Sequence, residues 1–99
     1  MTIRIYLDDT REAPEGWTLA RNVIEAQRLL LKGGVEAISL DHDLYHETGM
    51  VLVDWMIATN LVPREIIIHT WNDIGALRMR TALERRGYAP RIERAELHP

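Results

Sequence analysis

Three short apolar segments of this chain each end abruptly in a group of polar residues, and this pattern constrains the fold most. The segments are Ile3–Leu7, Val35–Leu40 and residues 66–68. They are too short for helices and have the composition of β-strands. In an open parallel sheet the ligand crevice lies outside the carboxyl ends of the strands. We therefore predict one site, assembled from the residues that follow three neighbouring strands.

Helical patterns separate these segments. An asparagine followed three residues later by a glutamate gives the first helix a capping-box start. The second helix is apolar almost all round, which indicates burial over much of its circumference. The predicted helices cover Val23–Lys32, residues 50–58 and a third segment that begins after Asn72 or Asp73 and stops at Gly87.

Two further short strands, at residues 17–20 and 89–92, complete the predicted sheet. Residues 8–16 read as a loop because they contain Pro14 and Gly16, so no helix joins the first two strands. Alternation of strand and helix through the rest of the chain indicates an α/β fold with a parallel sheet and right-handed crossovers. The sequence predicts a single domain over residues 1–99, with about five strands and about three helices.

Composition excludes several classes of protein. The chain has no cysteine, which removes disulfides and thiolate metal sites and fits a reducing compartment. No apolar run approaches the roughly 18 residues of a membrane span, and the N-terminus has no signal-peptide pattern. The formal net charge of −3 provides no basic field for a long nucleic-acid duplex. We expect a cytoplasmic protein without membrane contact, and the sequence leaves its oligomeric state open.

Four aspartates lie at the predicted strand ends and are candidate metal ligands: Asp8, Asp9, Asp41 and Asp43. Carboxylates a few ångströms apart raise one another's pKa unless a positive charge lies between them. A divalent cation, most simply Mg²⁺ beside a phosphate, supplies that charge. The alternative is that Asp8 or Asp43 only caps a loop. Only one of Asp41 and Asp43 is expected to point into the site.

Three groups of residues at the predicted strand ends together resemble the motifs of the cyclic-phosphate processing receiver domain family. The motifs are an acidic pair with an arginine (residues 8–11), a Leu-Asp-His-Asp-Leu block (residues 40–44) and a His-Thr-Trp-Asn block (residues 69–72). Thr70 stands where serine is usual and keeps the hydroxyl; Asp73 stands where proline is usual and keeps a helix start. The resemblance covers nearly the whole chain. It implies a compact receiver-like (flavodoxin-like) sheet that lacks the first crossover helix, and action on cyclic nucleotide phosphates.

Candidate catalytic residues are His42 and His69, with Asp41 chosen over Asp43 by analogy with receivers. Imidazole titrates near neutral pH and can give or take a proton. Opening a cyclic phosphodiester needs a base to activate water and an acid to protonate the departing ribose oxygen. Two histidines can supply both, although single histidines are more often structural.

Four residues near the strand ends are candidates for binding the substrate. Arg11 offers a planar fork of donors to phosphate oxygens, unless it only pairs with a nearby glutamate on the surface. Thr70 and Asn72 can add neutral hydrogen bonds. Trp71 can stack on a base or can pack beneath the loop.

We expect a phosphoesterase or nucleotide-processing domain whose partner is a cyclic nucleotide phosphate, such as a 2′,3′-cyclic phosphate at an RNA end or on a nucleotide. Two alternatives remain open: a non-catalytic module that binds a nucleotide or phosphate, and a signalling receiver that docks a partner protein. Response-regulator receivers use a lysine after the last strand. The one lysine here is Lys32, and Arg91 or Arg94 is not equivalent at a phosphoryl site.

Overall fold

Strands and helices alternate along the chain as the sequence predicts. The computed structural model describes residues 2–94. In chain order the elements are β1 (Ile3–Leu7), β2 (Thr18–Ala20), α1 (Val23–Lys32), β3 (Val35–Leu40), α2 (Gly49–Thr59), β4 (Glu65–Ile68), α3 (Asp73–Glu84) and β5 (Arg91–Ile92). A loop without a helix joins β1 to β2, which confirms that the first crossover helix is missing.

The sheet is parallel throughout, with the strand order β2-β1-β3-β4-β5. The chain moves to one side of β1 to form β2 and then returns to the other side to form β3. This reversal makes the gap between β1 and β3 the switch point, where ligands bind in flavodoxin-like folds. The predicted α/β, receiver-like fold is confirmed.

All three helices pack on one face of the sheet. Two rows of side chains, aligned by the strand register, form the sheet's contribution to the core. The rows are Ile5, Ile38 and Ile66, and Leu7, Leu40 and Ile68. The alternate residues Tyr6, Ser39 and Ile67 align on the opposite face, which carries no helix within residues 2–94. In that described part of the chain, no helix is long and apolar enough to cross a membrane.

Several predicted boundaries differ from the structure by one or two residues. The second helix starts at Gly49 rather than at the first apolar residue, and the backbone N–H of Gly49 donates to the carbonyl of His42 (2.7 Å). A Cβ at Gly49 would overlap the carbonyl oxygen of Asp41, so only glycine fits this approach. The last strand covers Arg91–Ile92 only, because Pro90 has no N–H to donate to the ladder.

The second helix is less enclosed than its apolar sequence predicts. Leu52, Val53 and Met56 are buried, but Val51 and Asp54 are exposed to solvent. One side of the helix packs against α1 and α3, and the other side is open because nothing in the described chain covers it.

Candidate functional site

The ends of β1, β3 and β4 meet at one edge of the sheet. Sheet hydrogen bonding continues one residue past each strand: the N–H of Asp41 donates to the carbonyl of Leu7 (3.1 Å), and the N–H of His69 to that of Leu40 (2.8 Å). Asp8, Asp41 and His69 therefore lie in one row. Alternation places their side chains on the helix-free face of the sheet. The expectation that these strand ends come together is met.

Asp8, Asp9 and Asp41 form a compact acidic group. One carboxylate oxygen from each residue lies within 4.8 Å of those of the other two. Asp8 and Asp41 are buried, and Asp9 is partly buried. Asp43, the fourth candidate ligand, lies outside this group of three, because the backbone bends at His42 and the chain beyond Asp41 is no longer extended. Carboxylate oxygens are the hard ligands that Mg²⁺ prefers.

Asp8 is the most heavily hydrogen-bonded carboxylate in the described chain. Its Oδ1 accepts the backbone N–H of Thr10 (3.0 Å) and of Arg11 (2.8 Å). Its Oδ2 accepts from Arg11 Nη1 (2.8 Å) and from His69 Nε2 (3.0 Å). Burial acts to raise the pKa of Asp8, but the bonds from His69, Arg11 and Thr10 outweigh it and hold the pKa far below its usual range. Asp8 is therefore ionised at every physiological pH.

Arg11 bridges the two buried carboxylates. The same nitrogen, Nη1, lies 2.8 Å from Asp8 Oδ2 and 3.6 Å from Asp41 Oδ2. The Arg11 carbonyl accepts from Arg21 Nη1 (2.8 Å), which fixes the backbone of this loop. The surface pair with Glu12 or Glu15 that sequence leaves possible does not form.

The pKa of Asp41 is shifted in the opposite direction to that of Asp8. Burial, and then repulsion from Asp8, raise it above its ordinary value. A hydrogen bond from Thr70 and the positive charge of Arg11 only partly oppose this rise. The ionised form of Asp41 thus lacks a full set of favourable partners.

His69 is buried, and both of its ring nitrogens are bonded. Nε2 faces Asp8 (3.0 Å), and Nδ1 faces the hydroxyl of Ser39 (2.6 Å). Since Asp8 is ionised, Nε2 must carry a hydrogen, and in a neutral ring Nδ1 would then accept from the hydroxyl of Ser39. Tyr6 stacks on the imidazole with the ring centroids 4.2 Å apart. An acid–base role for His69 would require one of these bonds to open.

His42 belongs to a second group, with Asp43 and Asn72. His42 Nδ1 lies 2.7 Å from Asp43 Oδ1, which also accepts from Asn72 Nδ2 (3.0 Å). These two hydrogen bonds lower the pKa of Asp43. The ionised Asp43 requires the hydrogen of His42 on Nδ1, which leaves Nε2 as the basic nitrogen of the neutral ring. Nε2 makes no hydrogen bond to any residue in 2–94.

The remaining predicted binding residues have structural partners. Asn72 caps α3, because its Oδ1 accepts from the N–H of Gly75 (2.8 Å). Thr70 is buried; its hydroxyl accepts from the N–H of Asn72 (3.2 Å) and bonds to Asp41. Trp71 is 40% exposed, with the guanidinium of Arg94 lying 4.5 Å from the centroid of its ring.

Sequence reasoning missed Ser39, Tyr6 and Arg21. Ser39 and Tyr6 contact the ring of His69, and Arg21 bonds to the loop that carries Arg11. Ser39 could have been found, because it is a polar residue between Ile38 and Leu40, on the face opposite the core. Tyr6 alternates with apolar residues in the same way. Nothing in the local sequence around Arg21 indicates its bond to the β1–β2 loop.

Comparison with solved structures gives the same fold. The chain is similar to the response regulator protein TrrA from Thermotoga maritima, whose crystal structure is a complex with Mg²⁺-BeF. The TM-score is 0.66 at 17% sequence identity, covering 96% of this chain and 88% of that one. No curated protein sequence matches the chain significantly.

Comparison with protein families gives a match to the cyclic-phosphate processing receiver domain over residues 3–85. This range contains the acidic group, Arg11 and both histidines discussed above. The predicted resemblance is confirmed over most of the chain. The protein therefore belongs to the cyclic-phosphate processing receiver domain family.

Proposed function

We propose that this domain opens a cyclic phosphodiester on a nucleotide, using a divalent cation held by the acidic group. The observation that carries the proposal is the bridging of Asp8 and Asp41 by Arg11 at the switch point of the sheet. Three carboxylates and a guanidinium at that place suit a ligand that is a phosphate ester with a bound cation. Membership of the family supports the cyclic phosphate as the ligand.

The donor set fits Mg²⁺. Oxygens of Asp8, Asp9 and Asp41 lie close enough together to be shared by one ion, and Asp9 makes no ion pair within residues 2–94. The raised pKa of Asp41 indicates that the group lacks positive charge. When bound, the cation would neutralise phosphate oxygens and favour attack by water at phosphorus.

Ring opening forms a bond between a water oxygen and phosphorus and breaks one bond between phosphorus and a ribose oxygen. The water proton passes to a base, and the departing ribose oxygen takes up a proton. His42 Nε2 is suited to the first transfer, because Asp43 fixes the tautomer that leaves this nitrogen basic. Arg11 is suited to binding the phosphate oxygens.

His69 has a positioning role in this proposal. Its bond to Asp8, supported by Ser39 and the stacked ring of Tyr6, holds the carboxylate in one orientation. The sequence-based prediction that His69 is a general acid or base stays a prediction, because the ring has no basic nitrogen available while both bonds are made.

Turnover is the direct test. The protein with Mg²⁺ should convert 2′,3′-cyclic nucleotides, cyclic-phosphate RNA ends or a cyclic oligonucleotide to linear phosphates, identified by mass. Replacing His42 with alanine should reduce turnover by roughly 10²–10⁴-fold, the usual contribution of a positioned base. Tight binding without turnover would instead support a non-catalytic nucleotide-binding module.

The signalling receiver is the weaker alternative. Lys32 lies in the last turn of α1, and a helix that returns to a parallel strand ends at the opposite edge of the sheet from the site. The described residues 2–94 therefore place no lysine beside Asp41. A stable acetyl phosphate adduct that is lost in Asp41→Asn would reverse this ranking.

A further inference from the structure

One nitrogen atom of Arg11 lies between the two buried carboxylates of the acidic group. Its distances of 2.8 Å to Asp8 and 3.6 Å to Asp41 make it the positive charge shared by both. Within residues 2–94, no other arginine and no lysine forms an ion pair with Asp8, Asp9 or Asp41. The guanidinium thus supplies positive charge at the position where a bound cation would supply it.

The backbone and the side chain of Arg11 are held very differently. Its N–H is bonded to Asp8 Oδ1 (2.8 Å) and its carbonyl to Arg21 Nη1 (2.8 Å), so the backbone is fixed from both sides. The side chain is 24% exposed, and its guanidinium pairs with the two carboxylates. The guanidinium can therefore leave them without displacing the loop.

The carboxylates do not depend on Arg11 alone. Without the guanidinium, Asp8 keeps its bonds to His69 Nε2 and to two backbone N–H groups. Asp41 keeps the hydrogen bond from Thr70. The group contains three carboxylates and Arg11 pairs with only two of them, so an ion of higher charge can take its place.

We propose that Arg11 is an exchangeable internal cation that couples phosphate binding to cation binding. This inference rests on the proposed function of the acidic group. Without ligand, the guanidinium of Arg11 pairs with Asp8 and Asp41 and competes with Mg²⁺ for their carboxylate oxygens. A phosphate draws the guanidinium away, because a charged fork binds phosphate oxygens strongly. Each ligand then raises the affinity of the other by the same factor, as linkage requires.

Calorimetric titration with Mg²⁺, alone and with saturating inorganic phosphate, tests this coupling. In the wild type, phosphate should tighten Mg²⁺ binding at least about fivefold, the lower range of typical couplings. In Arg11→Gln, Mg²⁺ alone should bind at least about fivefold tighter than in the wild type, and phosphate should change this affinity by less than about twofold. Arg4→Gln is the charge-matched control, since Arg4 near the start of β1 pairs with Glu36 near the start of β3, away from the strand ends that form the site.

The outcomes separate this inference from the proposed function. If Arg11→Gln binds Mg²⁺ no tighter than the wild type while Asp41→Asn abolishes binding, the metal site stands and the exchange is wrong. If neither the wild type nor Arg11→Gln binds Mg²⁺ with or without phosphate, both the exchange and the metal site of the proposed function are wrong.

A measurement on the wild type keeps the inference testable if Arg11→Gln does not fold. The guanidinium resonances of Arg11 should be followed by ¹H–¹⁵N NMR, with assignment through bonds from its own backbone. They should shift when Mg²⁺ and phosphate are added together. Unchanged resonances at saturation with both would show that Arg11 stays on Asp8 and Asp41, and would overturn the exchange.

Discussion

Asp41 is a buried carboxylate whose surroundings disfavour its charge. Its pKa is raised by burial and by Asp8, so the folded state binds the proton more tightly than the unfolded state. This contribution to stability is full below the unfolded pKa and is lost as pH rises through the folded pKa. The buried charge of ionised Asp41 therefore weakens the fold.

Replacing Asp41 with asparagine should stabilise the protein at pH 7 without Mg²⁺. The amide removes a buried charge, keeps an acceptor for Thr70, and should raise the free energy of unfolding by on the order of 1 kcal/mol. Urea unfolding at pH 7 and pH 4 measures this, and the gain should shrink at pH 4. Asp54→Asn, on the exposed side of α2, is the control. A loss of stability at pH 7 would show that Asp41 already has adequate partners.

Gly75 is needed because the imidazole of His42 lies against it. A Cβ at this position would overlap the ring. Gly75→Ala should therefore displace His42 and cost about 1–3 kcal/mol of stability, as overpacking does. Ile74→Ala, at a neighbouring exposed position, should change stability by less than about 0.5 kcal/mol. Equal urea midpoints for the two variants would contradict this account.

At the scale of elements, two helices begin with the same cap but only one cap reaches the site. Asn22 Oδ1 accepts from the N–H of Glu25 (2.9 Å), and Asn72 Oδ1 accepts from that of Gly75 (2.8 Å). Only Asn72 also donates to Asp43, the carboxylate that orients His42. Asn22 stabilises only the start of α1. Asn72 stabilises the start of α3 and, through Asp43, also orients the candidate base His42.

Alanine at Asn22 and at Asn72 should therefore have matched effects on stability and different effects on the site. Each should cost about 0.5–2 kcal/mol, measured by urea unfolding. Only Asn72→Ala should lower turnover, or shift the His42 ring resonances in NMR if no substrate is turned over. Equal site effects for the two variants would mean that the Asn72–Asp43 bond does not orient His42.

The elements themselves were predictable because their signals are local. Val23–Lys32 and Val35–Leu40 match the prediction, and the cap at Asn22 follows from its spacing to Glu25. The sequence left the cap of the third helix open between Asn72 and Asp73, and the structure shows Asn72. The predicted boundaries are wrong where a contact with a distant part of the chain, rather than the local pattern, decides where an element begins or ends. The start at Gly49 depends on its bond to the carbonyl of His42 and its close approach to that of Asp41, which no helical pattern contains.

At the scale of the whole molecule, the site was predictable in position but not in its bonding. Strand ends in a parallel sheet must meet, so the convergence of Asp8, Asp41 and His69 follows from topology. The hydrogen-bond partners of His69 do not follow from topology, because Ser39 and Asp8 lie 30 and 61 residues away in sequence. The choice of Asp41 over Asp43 followed from analogy with receivers, and Asp43 lies outside the group because the backbone bends at His42.

Binding of Mg²⁺ to the acidic group should stabilise the whole domain. A ligand that binds only the folded state adds about 2.7 kcal/mol at about 100 times its Kd. For a domain of this size, 1 kcal/mol moves Tm by roughly 4–8 °C, so Mg²⁺ should raise Tm by about 10–20 °C. The increase comes from ligands on two strand ends, β1 and β3, which can be shared only when the sheet is intact.

Thermal unfolding with and without Mg²⁺ measures this gain, first without phosphate and then with it. Asp9→Asn and Asp41→Asn should each lose most of it, because each removes one of three ligands. Asp43→Asn should keep it, because Asp43 lies outside the group and serves His42 instead. A Tm that neither Mg²⁺ nor Mn²⁺ moves in either condition would remove the cation from the proposed function, and the carboxylates would then serve only to hold Arg11.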